Sequence, residues 1–240
     1  MDDDKKNDKL KGFLDPKCPH LIRFRDVAPG SFRHCENVSV FCESIAIELE
    51  LDVDLMKVAA KYHDIGKINY PEAFSENQNG ENIHDKLDPM ISYQLITRHV
   101  GDGVVYLLEM EDMPREVMEI ISQHHGNTVL KFFYKKSKGK VDDLYRYRCC
   151  MPKRIESAIL MICDSVEATS RALAVNGELE NMEDRRKVVD STIMRLTNDD
   201  QLDNMKVGEL KVVRKVLYKE LESIYHKREL YGDEKEIDVE

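Results

Sequence analysis

The side chains in this sequence with the means to do chemistry are imidazoles and isolated carboxylates: His34, the pair His63-Asp64, His99, the pair His124-His125, and Asp164. Such groups are either hydrogen-bonded inside a core or donors to a divalent cation. Chance supplies about one His-Asp dipeptide in a chain with 8 His and 23 Asp among 240 residues, and this chain has two, so the dipeptide alone says nothing. Context separates them. His63-Asp64 ends an apolar stretch and runs into Gly66-Lys67, whereas His84-Asp85 follows an Asn-rich loop.

Asp164 carries the strongest signal. It interrupts an otherwise apolar segment, where an isolated carboxylate costs several kcal/mol unless it is paired or holds a metal. No Lys or Arg lies within one helical turn of it, and Arg171 is two turns on. His99 follows Leu95 and Ile96 on one face, so it too points inward. Plainer readings stand beside these. Asp64 could accept hydrogen bonds at a helix end, Asp164 could pair with a distant Arg, and His125 could be a C-terminal cation favoured by the helix dipole. His20, His84 and His226 are read as ordinary histidines. The coincidence of imidazoles and lone acids at the inward ends or faces of five separate helices favours a joint role.

The elements that must position these groups are helices. Val38, Phe41, Cys42, Ile45 and Leu49 recur at three- and four-residue steps, which predicts a helix entered by His34 at its first turn. Leu55, Val58, Ala59 and Tyr62 make a second stripe ending at His63. Asp88-Pro89 reads as a cap followed by proline at the first helical position, opening a helix to about residue 100. Pro114 opens another, which stops at Gly126 after the His pair. Ile155, Ile159, Ile162 and Val166 mark a helix apolar nearly all round and therefore buried, and two more helices at about 183–197 and 207–226 complete the chain. Strand alternation and hairpin signals are missing. The prediction is an all-α fold, a helical bundle forming one compact domain over 34–227, with a disordered charged tail at 1–12, a connecting segment at 13–33 and an acidic tail at 228–240.

Composition narrows the function. The 36 Lys and Arg against 46 Asp and Glu leave a net charge of −10, which argues against a DNA or RNA polymer as partner. The longest apolar run, Ala158 to Cys163, falls far short of the roughly 20 residues that span a bilayer. The six cysteines include no CxxC pair and read as free thiols of a cytoplasmic protein. Met1 is followed by three aspartates where an export signal would be basic and then apolar.

In order, His34, His63-Asp64, His99, His124-His125 and Asp164 resemble the H…HD…H…HH…D ligand set of the HD-domain phosphohydrolases, an all-α superfamily of metal-dependent enzymes. Ala28-Pro29-Gly30-Ser31-Phe32-Arg33-His34, Tyr62-His63-Asp64-Ile65-Gly66-Lys67, Glu76-Asn77-Gln78, His84-Asp85-Lys86, Gln123-His124-His125-Gly126-Asn127-Thr128 and Asp164-Ser165-Val166-Glu167-Ala168 narrow the resemblance. They are similar to the cytosolic catalytic domain of PgpH-type seven-transmembrane HD proteins, which hydrolyse cyclic di-AMP to linear pApA. The resemblance covers about residues 13–230. It departs at Asn82-Ile83-His84-Asp85, where the family has Asn-Pro-His-Asp, and at the loop Tyr147 to Lys153.

Carried over position by position, the resemblance implies two divalent transition metals, iron or manganese. One would be held by His34, His63 and Asp164, the other by His99, His124 and His125, with Asp64 bridging. A hydroxide between them would attack phosphorus in line, with Lys67 as a further positive contact to the scissile phosphate. Substrate contacts are expected from Lys67, His84, Asp85, Tyr145, Arg146, Tyr147 and Lys153. The partner implied is a small cyclic dinucleotide. The family is membrane-anchored, and the sequence is compatible with either the cytosolic part of such a protein or a free-standing relative. The rival readings are an HD nucleotidase or dNTP phosphohydrolase using the H…HD…D subset alone, and a catalytically silent nucleotide-binding signalling domain. A cyclic di-GMP enzyme is disfavoured by Gly126-Asn127-Thr128-Val129 after the His pair.

Residues 131–154 carry nine basic side chains against Asp142 and Asp143. This is either a solvated loop or a basic rim, with Tyr145 and Tyr147 for stacking, that guides a small dianion to the metals.

Overall fold

The most buried element is the one with the longest apolar run. In the computed structural model, which describes residues 3–78, 80–138 and 142–231, this is helix α8, Ile155–Val175, with every residue from Ser157 to Asp164 buried. Around it pack α3 (Pro29–Glu48), α4 (Val53–Tyr62) and α6 (Arg115–Gln123). Helix α9 (Met182–Asn198) lies on α8, and α10 (Val207–Tyr231) lies on α9 and α3. Helix α5 (Pro89–Leu108) covers α6 and the turn after α4, and the short α7 (Lys131–Lys136) rests on α5.

Local chemistry sets the boundaries. The Asp52 carboxylate accepts from the Leu55 amide at 2.9 Å to open α4, and Asp88 accepts from the Met90 amide at 2.7 Å to open α5 just ahead of Pro89. Between α4 and α5 the chain makes short 3₁₀ turns at Ile65–Asn69, Pro71–Ala73, Ser75–Asn77 and Ile83–Asp85. Among the described residues there is no strand, only an isolated antiparallel bridge between Val129 and Arg146. The expected all-α fold is what forms, as a single helical domain. All six cysteines are free, and among the described residues no helix is long and apolar enough to cross a membrane.

The N-terminal segment differs from the sequence expectation. Asp3–Leu14 is helix α1 rather than a disordered tail, and Pro19–Val27 is helix α2. The charged run hides one anchor: Leu10 is fully buried, Phe13 meets the Tyr62 ring edge-on at 6.4 Å, and the Tyr62 hydroxyl donates to the Phe13 carbonyl at 3.0 Å. Helix α3 therefore starts at Pro29, five residues before His34, and the packed body begins ahead of residue 34. At the other end α10 continues through Tyr231, and the rest of the expected acidic tail lies outside the described residues.

Two glycines permit close approaches next to the His63-Asp64 and His124-His125 pairs. A Cβ on Gly66 would meet the His99 carbonyl oxygen at 2.0 Å and the Gly103 nitrogen at 2.4 Å, so only glycine lets α5 lie against the turn that follows Asp64. Gly126, at φ +51°, ends the His124-His125 segment in the left-handed conformation, with the Gln201 side chain filling the space a Cβ would take.

Candidate metal centre

The seven histidines and aspartates, scattered over 130 residues of sequence, converge beside the middle of α8. His34 comes from α3, His63 caps α4, Asp64 opens the following turn, His99 lies on α5, His124 caps α6 with His125 next to it, and Asp164 lies on α8. Among the described residues three groups place their donor atoms within 4.8 Å of one another, two of them made of these residues alone: His34 with His63 and Asp164, and His99 with His124 and His125. Asp64 stands between them. Its Oδ2 is 3.4 Å from His63 Nε2 and 3.7 Å from His34 Nε2, while its Oδ1 is 3.3 Å from His99 Nε2. Asp164 does the same on the other side, with Oδ1 3.0 Å from His34 Nε2 and Oδ2 3.6 Å from His125 Nδ1. The carboxylate that sequence reasoning left without a cation faces histidines, not an arginine.

The rings are aimed by their other nitrogen. His63 Nδ1 donates to the Ala60 carbonyl at 2.7 Å, His99 Nδ1 to Ile96 at 2.6 Å and His124 Nδ1 to Ile121 at 2.6 Å, three residues back in each case. For His63 and His124 these carbonyls belong to the last turn of a helix, where backbone acceptors lack partners. His34 Nδ1 is bound instead by the Glu167 carboxylate. Each arrangement leaves Nε2 pointing into the cluster, which is how outer partners fix the tautomer of metal-binding histidines. His63 Nε2 is buried with no hydrogen-bond partner, an arrangement that costs free energy unless a cation completes it. The donor set, nitrogen and oxygen without obligatory thiolate, fits a borderline divalent metal. Cys35 joins a third, overlapping group with His63 and Asp64.

The electrostatics divide the two sides. Burial opposes charge on His34, yet Asp164 and Glu167 outweigh it and push its pKa up to about 10. Burial, with His63 and His99 nearby, holds His124 down at about 3, and burial also lowers His99 and His125. Burial alone would raise Asp64, but Lys67 and then His63 hold it well below the carboxylate range. Lys67 Nζ sits 2.7 Å from Asp64 Oδ2, 2.8 Å from Glu76 Oε1 and 4.5 Å from the Phe74 ring centre.

Four of the donors, His34, His99, His125 and Asp164, line a cleft of about 440 Å³ whose wall also includes Lys67, Phe74, Glu76, Tyr147, Arg171 and Arg195. Of the substrate contacts expected from sequence, Lys67 and Tyr147 are in this wall. Tyr147 stacks on His125 at 4.3 Å, held there because its amide donates to the Thr128 carbonyl at 2.9 Å. The others lie outside the lining, each engaged elsewhere. His84 is buried, donating from Nε2 to the Ala73 carbonyl at 2.8 Å, and the exposed Asp85 faces Lys136 at 3.9 Å. Tyr145 packs edge-on against Tyr93 at 5.7 Å, and Arg146 ties the Asn127 carbonyl at 3.0 Å to Asp199 at 3.2 Å. Lys153 is exposed, its amide donating to Gln123 Oε1 at 2.8 Å. Of the nine basic residues of the proposed rim, Lys140 lies outside the described residues.

Sequence reasoning assigned no role to Glu76, Glu167 or Arg195. Glu167 had a weaker signal: it lies one turn beyond Asp164 on the same buried helix, but Arg171 one turn further on offers it the cation that Asp164 lacks. Arg171 pairs with Glu167 at 3.4 Å, not with Asp164.

Fold and site together define an all-α protein with two histidine-rich donor sets sharing a carboxylate. The chain belongs to the HD-domain family, whose model matches residues 31–169. It is 36% identical over 236 residues to the cyclic-di-AMP phosphodiesterase PgpH of Listeria monocytogenes, covering 95% of this chain and 32% of that protein. It is 35% identical over 232 residues to PgpH of Bacillus subtilis, covering 94% of this chain and 32% of that one. The chain thus spans about a third of the length of the curated relatives it matches. The crystal structure of the L. monocytogenes PgpH HD domain in complex with cyclic-di-AMP superposes with a TM-score of 0.81 at 35% identity, over 87% of this chain and 97% of that one.

Proposed function

We propose that this chain is a dinuclear metal-dependent phosphodiesterase that hydrolyses cyclic di-AMP to linear pApA. The observation that carries the reading is Asp64, which offers one carboxylate oxygen to each donor set. His34, His63 and Asp164 would hold one ion and His99, His124 and His125 the other, iron or manganese by donor type. When bound, two such ions would acidify a water and neutralise charge on the phosphoryl oxygens.

The rest falls to the chain's own side chains. Asp64 keeps its charge because Lys67 stands against it, and Lys67 in turn is held by Glu76 with its ammonium in the cleft wall, beside the position of a bound phosphate. Tyr147 and Phe74 offer ring faces and edges to a base or ribose and keep that part of the cleft apolar. One water is consumed and one P–O3′ bond opens, leaving a 5′-phosphate and a free 3′-hydroxyl in pApA. The similarity to PgpH relatives supports this substrate. A nucleotidase with one metal needs only the His34, His63 and Asp164 side and gives no reason for His99, His124 and His125 to converge. Incubation with cyclic di-AMP, cyclic di-GMP, dNTPs and ppGpp in the presence of manganese or ferrous iron, read by chromatography, tests the reading. Release of pApA from cyclic di-AMP is expected, and failure to cleave any of them would favour a silent signalling domain.

A further inference from the structure

Helix α3 begins without a cap of its own. Ala28 stands at its N-cap with no side-chain acceptor, Pro29 follows, and the amides of Gly30 and Ser31 come next, too early in the helix to find a partner within it. Both find one 47 and 46 residues away: the Asn77 side-chain oxygen accepts from Gly30 at 2.8 Å and from Ser31 at 3.1 Å. The nitrogen of the same side chain donates to Ser31 Oγ at 2.8 Å and to the Pro71 carbonyl at 3.3 Å. Ser31 Oγ in turn donates to Glu76 Oε1 at 2.9 Å, the oxygen that also accepts from Lys67 at 2.8 Å. The backbones are equally close, since a Cβ on Gly30 would lie 1.8 Å from the Glu76 carbonyl oxygen.

His34 lies one turn further along α3, and in an α-helix the amide of residue 34 bonds to the carbonyl of residue 30. On the other side, Lys67 stands against Asp64 at 2.7 Å. The Asn77 side chain therefore ties the helix that carries His34 to the turn whose glutamate holds the cation facing Asp64. We propose that Asn77 is a positioning residue for the first donor set: it caps α3 from outside the helix and so fixes where His34 stands relative to His63 and Asp64. Glu167 aims the His34 ring through Nδ1, and Asn77 sets the backbone beneath that ring. Without the cap the first turn of α3 loosens, and metal binding must then restore an order that Asn77 otherwise provides beforehand. The assignment rests on the metal-binding part of the reading above.

The test is a manganese titration of the metal-free full chain, read by the paramagnetic resonance of the free ion, so that no turnover enters. Wild type should bind two ions. In Asn77→Ala one of the two should bind about 5- to 30-fold more weakly, the effect of a lost helix cap, while the other stays within about twofold. Asn77→Asp, whose carboxylate can still accept from both amides, should recover most of the affinity. Asn181→Ala is the control: it removes the side-chain acceptor of the Asp184 amide at the start of α9, and should lower the melting temperature to a similar extent with both manganese affinities unchanged. Coupling between cap and metal is reciprocal, so in wild type manganese should also slow hydrogen exchange at the Gly30 and Ser31 amides and not at Asp184, a measurement that stands even if Asn77→Ala fails to fold. Unchanged affinities in Asn77→Ala, losses no greater than in Asn181→Ala, or Gly30 and Ser31 amides indifferent to manganese would show that Asn77 only stabilises the fold, and would overturn the assignment while leaving the two-metal reading intact. A wild-type chain that takes up one ion or none would overturn that reading and the assignment with it.

Discussion

Asp64 Oδ1 lies 3.3 Å from His99 Nε2, while the other oxygen of the same carboxylate faces His63 and His34. One side chain thus faces both donor sets. Its two faces are supplied by different helices, so the α5 contact and the α4 C-terminus must both be in place before the site exists.

The shared carboxylate predicts a stoichiometry and its loss. Elemental analysis of anaerobically purified protein should find about two transition metal ions per chain. Asp64→Ala should reduce that content and abolish turnover while leaving the helical circular dichroism largely in place. A wild-type protein with one ion or none would reject the dinuclear site.

Glu167 acts through His34, whose Nδ1 it binds while also accepting from Asn37 at 2.9 Å. Replacing it by Gln should loosen the His34 ring and weaken metal binding about 10- to 100-fold. Turnover lost at limiting manganese should return at high manganese. A defect that no metal concentration repairs would show that Glu167 is needed for something other than aiming His34.

How far this site was legible depends on what each residue had to stand out against. Asp164 was visible because a carboxylate inside the most apolar helix has no cheap explanation, and His63 because it ends an apolar stripe. Arg195 was not, because α9 alternates charged and apolar residues like any surface helix, and only the fold brings this arginine into the wall of the cleft beside the donor groups. Helix α1 was hidden for the opposite reason: it is anchored from its last turns, by the buried Leu10 and by Phe13 on Tyr62, while the composition of the run before them reads as solvated. His84-Asp85 and Tyr145 looked available in sequence, but the fold uses the buried His84 on Ala73 and Phe133 and buries Tyr145 against Tyr93.

Glu76 predicts a pH dependence of stability. Burial alone would raise its pKa, but Lys67 beside it brings the carboxyl down from 4.5 to about 2. A depressed folded-state value means that the contribution is fully present above pH about 4.5 and is lost as pH falls toward about 2. The shift corresponds to about 3 kcal/mol at neutral pH. The stability gap between wild type and Glu76→Gln, measured by urea unfolding, should therefore be widest above pH about 5 and narrow steadily between about 4.5 and 3. A gap that stays constant over that range would exclude the ion pair as its cause.

Gly66 tests whether the α5 contact sets the second donor set. An alanine Cβ there would lie 2.0 Å from the His99 carbonyl oxygen, a backbone atom that cannot rotate away, so α5 must shift and carry His99 off Asp64. Gly66→Ala should cost about 1–3 kcal/mol, or more, and lower occupancy of the ion held by His99, His124 and His125 before that of the other. Gly101, on the same helix, has nothing within 4 Å of the place an added methyl group would occupy, so Gly101→Ala should be neutral or stabilising by about 0.5–1 kcal/mol. If the two substitutions behaved alike in melting temperature and metal content, the close approach of α5 to Gly66 would not be what brings His99 to Asp64.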